Sequence, residues 1–209
     1  MSGRSLASGF RALLTWGGLL CLLLAPPLTA AFSPLIAWRD PIYIVAGLAG
    51  ILALSLVVLQ LLLIGGFVPA AKGLRARRVH KWVGFLLVLA VVIHLTGLWI
   101  TSPPDVVDAL LFRSPTPFSA WGVFALWSVF AALLMVLFRT QLSIRPRNWR
   151  RIHVGLALIT GVGSVVHTAL IQGTMDAVSK TVVCLLLVLL LGKVVLLPGV
   201  RAARRRSGS

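Results

Sequence analysis

Four histidines carry the clearest chemical signal in this sequence of 209 residues. They form two pairs, His80 with His94 and His153 with His167, and both pairs are separated by fourteen positions. Fourteen residues of α-helix rise about 21 Å and complete almost four turns. Each pair therefore lies on one face of its helix, at two well-separated levels.

The segments around the two pairs repeat as well. RRVH at 77–80 returns as RRIH at 150–153, and the second histidine of each pair follows two β-branched residues. If the two carrier helices run parallel and face each other, the first members of the pairs meet at one level and the second members at another. Two opposed imidazoles are what a six-coordinate haem iron needs, one axial ligand on each face.

The pattern thus predicts two stacked bis-histidine haem sites about 20 Å apart. One is held by His80 and His153, here called the inner pair, and the other by His94 and His167, the outer pair. Zinc is a poorer prediction, because the two levels are too far apart to share one tetrahedral ion. The alternative for a single histidine is a hydrogen-bonded packing residue or, for the inner pair, an interfacial residue within a basic loop.

The helices that position these histidines must lie in lipid. The chain is 59% hydrophobic and only 11% charged, with a mean hydropathy of +1.01. A soluble domain typically carries about a quarter charged residues. The composition therefore excludes a disordered chain, a disulfide scaffold and an ordinary cytosolic enzyme.

Uncharged runs of about 20 residues or more predict the membrane spans. We place six helices near 12–31, 42–66, 80–101, 118–138, 152–173 and 179–198. The predicted fold class is an all-α integral membrane protein, a six-helix transmembrane bundle that forms a single domain over 1–209. The histidine pairs fall on the third and fifth helices, which run in the same direction.

The first segment has two interpretations. Arg4, Arg11, the apolar run after them and the small residues at 28–31 also fit a secretory signal peptide that ends near Pro26 and Pro27. In a retained helix, the two prolines would instead produce a kink near its outer end. The order of the other five helices is the same in both cases.

The cations indicate the orientation of the bundle. Seventeen of the twenty Lys and Arg residues fall at the two termini and in the second and fourth loops, and all four Asp residues fall on the other side. Those of the second loop are Lys72, Arg75, Arg77, Arg78 and Lys81. Both termini are therefore predicted to be cytoplasmic. The net charge of +16 is a topology signal rather than an indication of nucleic-acid binding.

Several residues share the histidine faces. Arg77 and Arg150 precede the inner pair by three residues; they could hold haem propionates through charge-assisted hydrogen bonds, or serve only orientation and lipid headgroups. Gly84, Gly97 and Gly163 could admit a flat macrocycle close to the backbone. The alternative is ordinary helix packing, in which small residues are common.

Other chemistries have little support in the sequence. Cys21 and Cys184 lie inside apolar spans, where a small packing residue is expected. Asp105 and Asp108 lie in the outer loop after the third helix and predict a solvated loop, with a bound cation as the alternative. No glutamate occurs, so no acid–base pair is expected within the membrane. We assign no catalytic residue.

The motifs around the histidines resemble the ferric-reductase-like transmembrane domain. The resemblance rests on RRVHKWVG at 77–84 with His94, and on WRRIH at 149–153 with His167. That family includes ferric reductases, the membrane half of NADPH oxidases and the haem subunit of a bacterial periplasmic methionine-sulfoxide reductase system. The resemblance implies a six-helix bundle that holds b-type haem between its third and fifth helices.

The sequence departs from the family in two respects. Ferric reductases and oxidases usually continue into cytoplasmic flavin and nicotinamide domains, whereas this sequence ends soon after the sixth helix, so we expect a separate electron donor. The haem subunit of the methionine-sulfoxide system also lacks those domains, but its pattern lacks a counterpart of His80. The presence of all four histidines favours the two-haem branch.

The predicted function is therefore transmembrane electron transfer by the membrane subunit of an oxidoreductase in a bacterial inner membrane. The donor would be a cytoplasmic flavoprotein or a quinol, the acceptor a periplasmic protein, ferric iron or oxygen, and whether flavin binds in addition to haem stays open. The alternative is a haem-free polytopic protein, a small transporter or assembly factor, whose histidines pack or shuttle protons. A third interpretation keeps a single haem, as a sensor or a partner-locked subunit.

Overall fold

The protein is helical throughout the part of the chain that the structure describes. This computed structural model describes residues 3–68 and 73–206, so Lys72 of the predicted second loop lies outside it. The helices are α1 (Gly3–Ala31), α2 (Pro41–Ile64), α3 (Gly73–Thr101), α4 (Pro103–Leu110), α5 (Pro117–Leu137), α6 (Pro146–Leu170) and α7 (Ala177–Arg206). A short 3-10 turn at Pro34–Ile36 connects α1 to α2.

Six of these helices, all except α4, are long and apolar enough to cross a membrane. The prediction of an all-α, six-span bundle is confirmed. Large apolar side chains such as Phe85, Leu185 and Leu189 are exposed on its surface, as expected where lipid replaces water as the solvent. Helix α2 is the most buried of the six spans, and it is apolar on all its faces, as a central helix should be.

Three helices begin earlier than the predicted spans, and the first of them, α1, begins at Gly3 rather than near residue 12. Helix α3 begins at Gly73 rather than near residue 80, and α6 begins at Pro146 rather than near residue 152. The prediction ended each span at the nearest charged residue, but Arg and Lys are good helix formers and can extend a helix beyond the apolar layer. Arg75 and Arg77 therefore lie on the first turns of α3 and not in a loop.

The segment after α3 is a helix where a solvated loop was predicted. Helix α4 starts with two prolines at its first positions, which favour a helix N-terminus, and Asp105 lies in its first turn. The Ser102 hydroxyl donates a hydrogen bond to the Asp105 carboxylate.

The first helix continues past the two prolines of its outer half. Helix α1 runs through Pro26 and Pro27 to Ala31.

Two antiparallel hairpins organise the bundle. Helix α2 packs along α3 and α5 packs along α6, and these are the most extensive helix contacts among the described residues. Helix α7 contacts α2 and α6 and joins the two hairpins. The central apolar cluster includes Leu56, Val58, Val183 and Leu187, all almost completely buried.

The hairpin arrangement separates charge between the two ends of the bundle. One end, here called the basic end, carries the first turns of α3 and α6 with Arg75, Arg77, Arg147 and Arg150. The opposite, acidic end carries Asp40, Asp105, Asp108 and Asp176. This is the separation that the sequence pattern predicted.

Glycines allow the two helices of each hairpin to approach closely. A Cβ atom at Gly163 would lie 2.8 Å from the Trp121 carbonyl oxygen on α5, and a Cβ atom at Gly97 would lie 2.7 Å from the Ala46 Cβ on α2. These two glycines therefore serve helix packing, the second of the alternatives raised by the sequence.

This packing predicts that alanine substitutions at two glycines of α6 have different effects on the stability of the protein. We expect Gly163→Ala to destabilise the protein by about 1–3 kcal/mol, because the backbone of α5 must move to relieve the overlap. The matched control is Gly155→Ala, since a Cβ atom at Gly155 meets nothing within 4 Å. Thermal unfolding in detergent measures the difference, and equal midpoints for the two variants would contradict the packing argument.

Asp176 stabilises the start of α7 at the acidic end. Its carboxylate accepts a hydrogen bond from the Ser179 backbone N–H at 2.8 Å. That bond, together with the Ser179 hydroxyl, lowers the pKa of the Asp176 carboxyl from 3.8 to about 2. Because the pKa is lower in the folded state, the stabilisation is present above about pH 4 and is lost as the pH falls through about 2.

The pH dependence of stability should reveal this contribution. We expect the thermal midpoint of the wild-type protein in detergent to fall between about pH 4 and pH 2 more steeply than that of Asp176→Asn. An asparagine can cap the helix without titrating in this range. Parallel curves for the two proteins would show that Asp176 makes no such contribution.

Candidate functional site

The histidines lie on the two helices that the sequence predicted to carry them. His80 and His94 lie on α3, and His153 and His167 lie on α6. Each carrier helix packs mainly against its own hairpin partner, and backbone contacts between α3 and α6 are sparse among the described residues. The two carrier helices therefore meet chiefly through side chains.

The inner pair is in ring-to-ring contact across α3 and α6. The centroids of the His80 and His153 rings lie 6.2 Å apart, with an angle of 76° between the ring planes. The Nδ1 atoms of both rings are buried and have no hydrogen-bond partner among the described residues. An unpaired buried polar atom costs about 1–3 kcal/mol, and no hydrogen bond from Nδ1 to a described residue fixes the orientation of either inner ring.

The separation of the inner rings suits a shared metal ion. Metal–imidazole bonds are about 2.0–2.1 Å long, so two rings that hold one ion between their nitrogens have centroids about 6 Å apart. The observed 6.2 Å agrees with this spacing. The inner pair thus fits the axial ligands of a haem iron.

The outer pair is held by backbone carbonyl groups of the neighbouring helices. The His94 Nδ1 atom lies 2.7 Å from the Ala46 carbonyl oxygen on α2, and the His167 Nδ1 atom lies 2.9 Å from the Phe118 carbonyl oxygen on α5. A carbonyl oxygen can only accept, so Nδ1 must carry the proton in both rings. The Nε2 atom is then unprotonated and has a lone pair available for a metal.

An aromatic ring also packs against one of the outer histidines. The Phe118 ring packs edge-on against the His167 ring, with centroids 5.6 Å apart. Both outer histidines are therefore oriented by groups of the neighbouring helices.

The basic end supplies further polar groups near the inner pair. Gln60 of α2 donates a hydrogen bond from Nε2 to the His80 carbonyl oxygen at 3.1 Å, and it fits there because Gly84 has no side chain to displace it. Arg77 and Arg150 lie one helical turn from the inner pair, and both side chains are exposed. Neither guanidinium has an ion-pair partner among the described residues, which leaves both available to an anionic group.

The structure therefore adds residues that the sequence pattern did not indicate. They are Ala46, Gly50 and Gln60 on α2, and Phe118 and Gly122 on α5. Gly50 and Gly122 contact the rings of His94 and His167. The sequence contained a weak signal for these two glycines. Gly50 and Gly122 are 72 positions apart, which is nearly the 73 positions that separate His80 from His153 and His94 from His167.

The candidate site contains no large cluster of metal-ligating side chains among the described residues. Among the described residues, no group of three or more His, Cys, Asp or Glu side chains comes together. A metal bound here takes two ligands from the protein and needs the others from a second source. A macrocycle that supplies the remaining ligands fits this requirement.

The fold and the site define a polytopic membrane protein with two histidines on each of two parallel helices, one from each helix meeting at the basic end. The family described as "Ferric reductase like transmembrane component" matches residues 49–170, from α2 to the end of α6. The chain belongs to this family, as the motifs around the histidines predicted. No curated protein and no solved structure matches the chain.

Membership of the family indicates the class of reaction in which the protein takes part. Its domain suggests transmembrane electron transfer of the ferric-reductase kind, and domains of this type typically bind haem. The match includes all four histidines and both carrier helices. It excludes α1 and α7, which frame the two hairpins.

Proposed function

We propose that this protein is a two-haem b-type electron-transfer subunit of a bacterial inner membrane. It moves electrons from a donor at the basic, cytoplasmic end to an acceptor at the acidic, periplasmic end. The observation that carries the proposal is the contact between His80 of α3 and His153 of α6, whose ring centroids lie 6.2 Å apart. The family match supports the same chemistry.

The four histidines have defined roles in this proposal. His80 and His153 ligate one haem, and His94 and His167 ligate the other through the Nε2 atoms that their tautomer leaves free. Haem, when bound, supplies an iron that accepts and releases one electron at a time. Arg77 and Arg150 hold the propionates of the inner haem at the basic end through charge-assisted hydrogen bonds.

The orientation follows from the distribution of charge. Loops rich in Lys and Arg stay on the cytoplasmic side of a membrane, and the first turns of α3 and α6 carry such residues. The donor is a cytoplasmic flavoprotein or a quinol, and the acceptor is a periplasmic protein or ferric iron. All four Asp residues lie at the opposite end, together with only three cations, Arg39, Arg113 and Lys180.

Haem quantification tests the proposal. After expression with ample haem and purification in detergent, we expect two haem b groups per chain by pyridine haemochromogen and iron analysis. The reduced spectrum should show the bands of low-spin bis-histidine haem. A purified, folded protein without haem would contradict the proposal and favour the haem-free alternative.

A further inference from the structure

We propose that Gly50 and Gly122 are positioning residues for the outer pair. Each exposes a backbone carbonyl group of its helix, so that a histidine ring from the neighbouring helix can donate a hydrogen bond to it. The effect of these glycines on the haem rests on the proposed function. The contact between each glycine and its histidine does not depend on that function.

The geometry of an α-helix explains why glycine is needed at these positions. The carbonyl of one residue lies beside the residue four positions later, whose N–H bonds to it. The side chain of that later residue covers the same patch of helix surface. Gly50 follows Ala46 by four positions, and Gly122 follows Phe118 by four positions, so each glycine leaves its carbonyl uncovered.

The distances leave no room for a side chain. A Cβ atom at Gly50 would lie 2.8 Å from Nδ1 and 3.0 Å from Cε1 of His94. A Cβ atom at Gly122 would lie 2.8 Å from Nδ1 and 2.9 Å from Cε1 of His167. The atoms that it would meet belong to rigid rings, so the rings must move away from the carbonyl groups.

Two independent occurrences of this contact support a specific role. The same arrangement of carbonyl, glycine and ring occurs between α2 and α3 and again between α5 and α6. Glycines elsewhere on these helices behave differently. A Cβ atom at Gly47 or Gly155 would meet nothing within 4 Å, and Gly97 and Gly163 contact neighbouring helices rather than a histidine ring.

The hydrogen bond sets the properties of the outer ligands. A ligating histidine that donates its other N–H to a carbonyl is fixed in orientation and is more basic towards the metal. The inner rings have no such bond from Nδ1 among the described residues. The two glycines should therefore affect the outer haem and leave the inner haem unchanged.

Alanine variants of the two glycines test the proposal. In Gly50→Ala and Gly122→Ala we expect the outer haem to be held about 10- to 100-fold more weakly, the range typical for loss of such a partner. Its midpoint potential should shift to a more positive value, because a less basic ligand stabilises ferric iron less. Redox titration and electron paramagnetic resonance of the purified protein measure these changes, with Gly47→Ala and Gly155→Ala as matched controls.

A double-mutant cycle separates positioning from general destabilisation. If Gly50→Ala acts through the ring of His94, it should lower the thermal midpoint relative to that of the wild-type protein. It should have no further effect in a His94→Ala background. The same cycle applies to Gly122 and His167. Equal losses in both backgrounds would overturn the proposal.

Nuclear magnetic resonance of the haem-free protein gives a second readout. With ¹⁵N-labelled histidine, we expect His94 to be protonated at Nδ1 in the wild type and in Gly47→Ala, and to lose this preference in Gly50→Ala. Unchanged tautomers and unchanged haem properties in both alanine variants would overturn the positioning role. If the wild-type protein binds no haem but Gly50→Ala still changes the tautomer of His94, only the proposed function is contradicted.

Discussion

Replacing His94 or His167 by alanine should reduce the haem content from two groups per chain to one. Each residue supplies one of the two axial nitrogens of the outer haem in the proposed function. The chain contains only four histidines, and the other two form the inner pair at the basic end, so no histidine can replace the lost ligand. The inner haem should remain, because its ligands lie about 21 Å further along the same helices.

Pyridine haemochromogen analysis, iron content and electron paramagnetic resonance measure this loss. Leu95→Ala and Thr168→Ala are matched controls, since they change adjacent residues that lie about 100° away around the same helices. Both controls should retain two haems. If His94→Ala and His167→Ala each retain two haems with unchanged spectra, the proposed pairing of the outer histidines is wrong.

Replacing His80 or His153 by alanine should block electron entry from the basic end. The inner haem should be lost, because the two rings in contact at 6.2 Å are its proposed ligands. An electron from the basic end would then have to travel about 21 Å further without an intermediate carrier. Electron-transfer rates fall steeply with distance, so we expect reduction of the outer haem from this side to be abolished.

Oriented proteoliposomes allow this test. A membrane-impermeant reductant added at the basic end should reduce the outer haem in the wild type but not in His80→Ala or His153→Ala. The same reductant added at the acidic end should reduce it in all three proteins. Ile152→Ala, next to His153 on α6, is the matched control and should behave as the wild type. Wild-type reduction rates from the basic end in the histidine variants would contradict a path through the inner pair.

The helix limits show where sequence reasoning failed. The predicted starts of α3 and α6 were late by about two turns and one and a half turns, respectively. Hydropathy reports where a helix leaves lipid, whereas a helix itself continues as long as its backbone hydrogen bonds do. For the same reason the sequence did not indicate α4, which is amphipathic and too short to span a membrane.

The glycines show a second kind of limit. Gly97 and Gly163 shared the histidine faces in sequence, but they contact neighbouring helices. Gly50 and Gly122, which do contact the histidine rings, lie on helices that carry no histidine. Helix periodicity assigns a residue to a face, and it contains no information about which helix packs against that face.

The sequence by itself determined the membrane class, the number of spans, the separation of charge and the two levels of the histidines. These properties depend on composition and on the rise and rotation of a single helix, which are local. Only the tertiary structure decided which backbone carbonyls hold the outer rings. The Ala46 and Phe118 oxygens lie 48 and 49 positions from their histidines, and contacts over such separations arise from the packing of α2 on α3 and of α5 on α6.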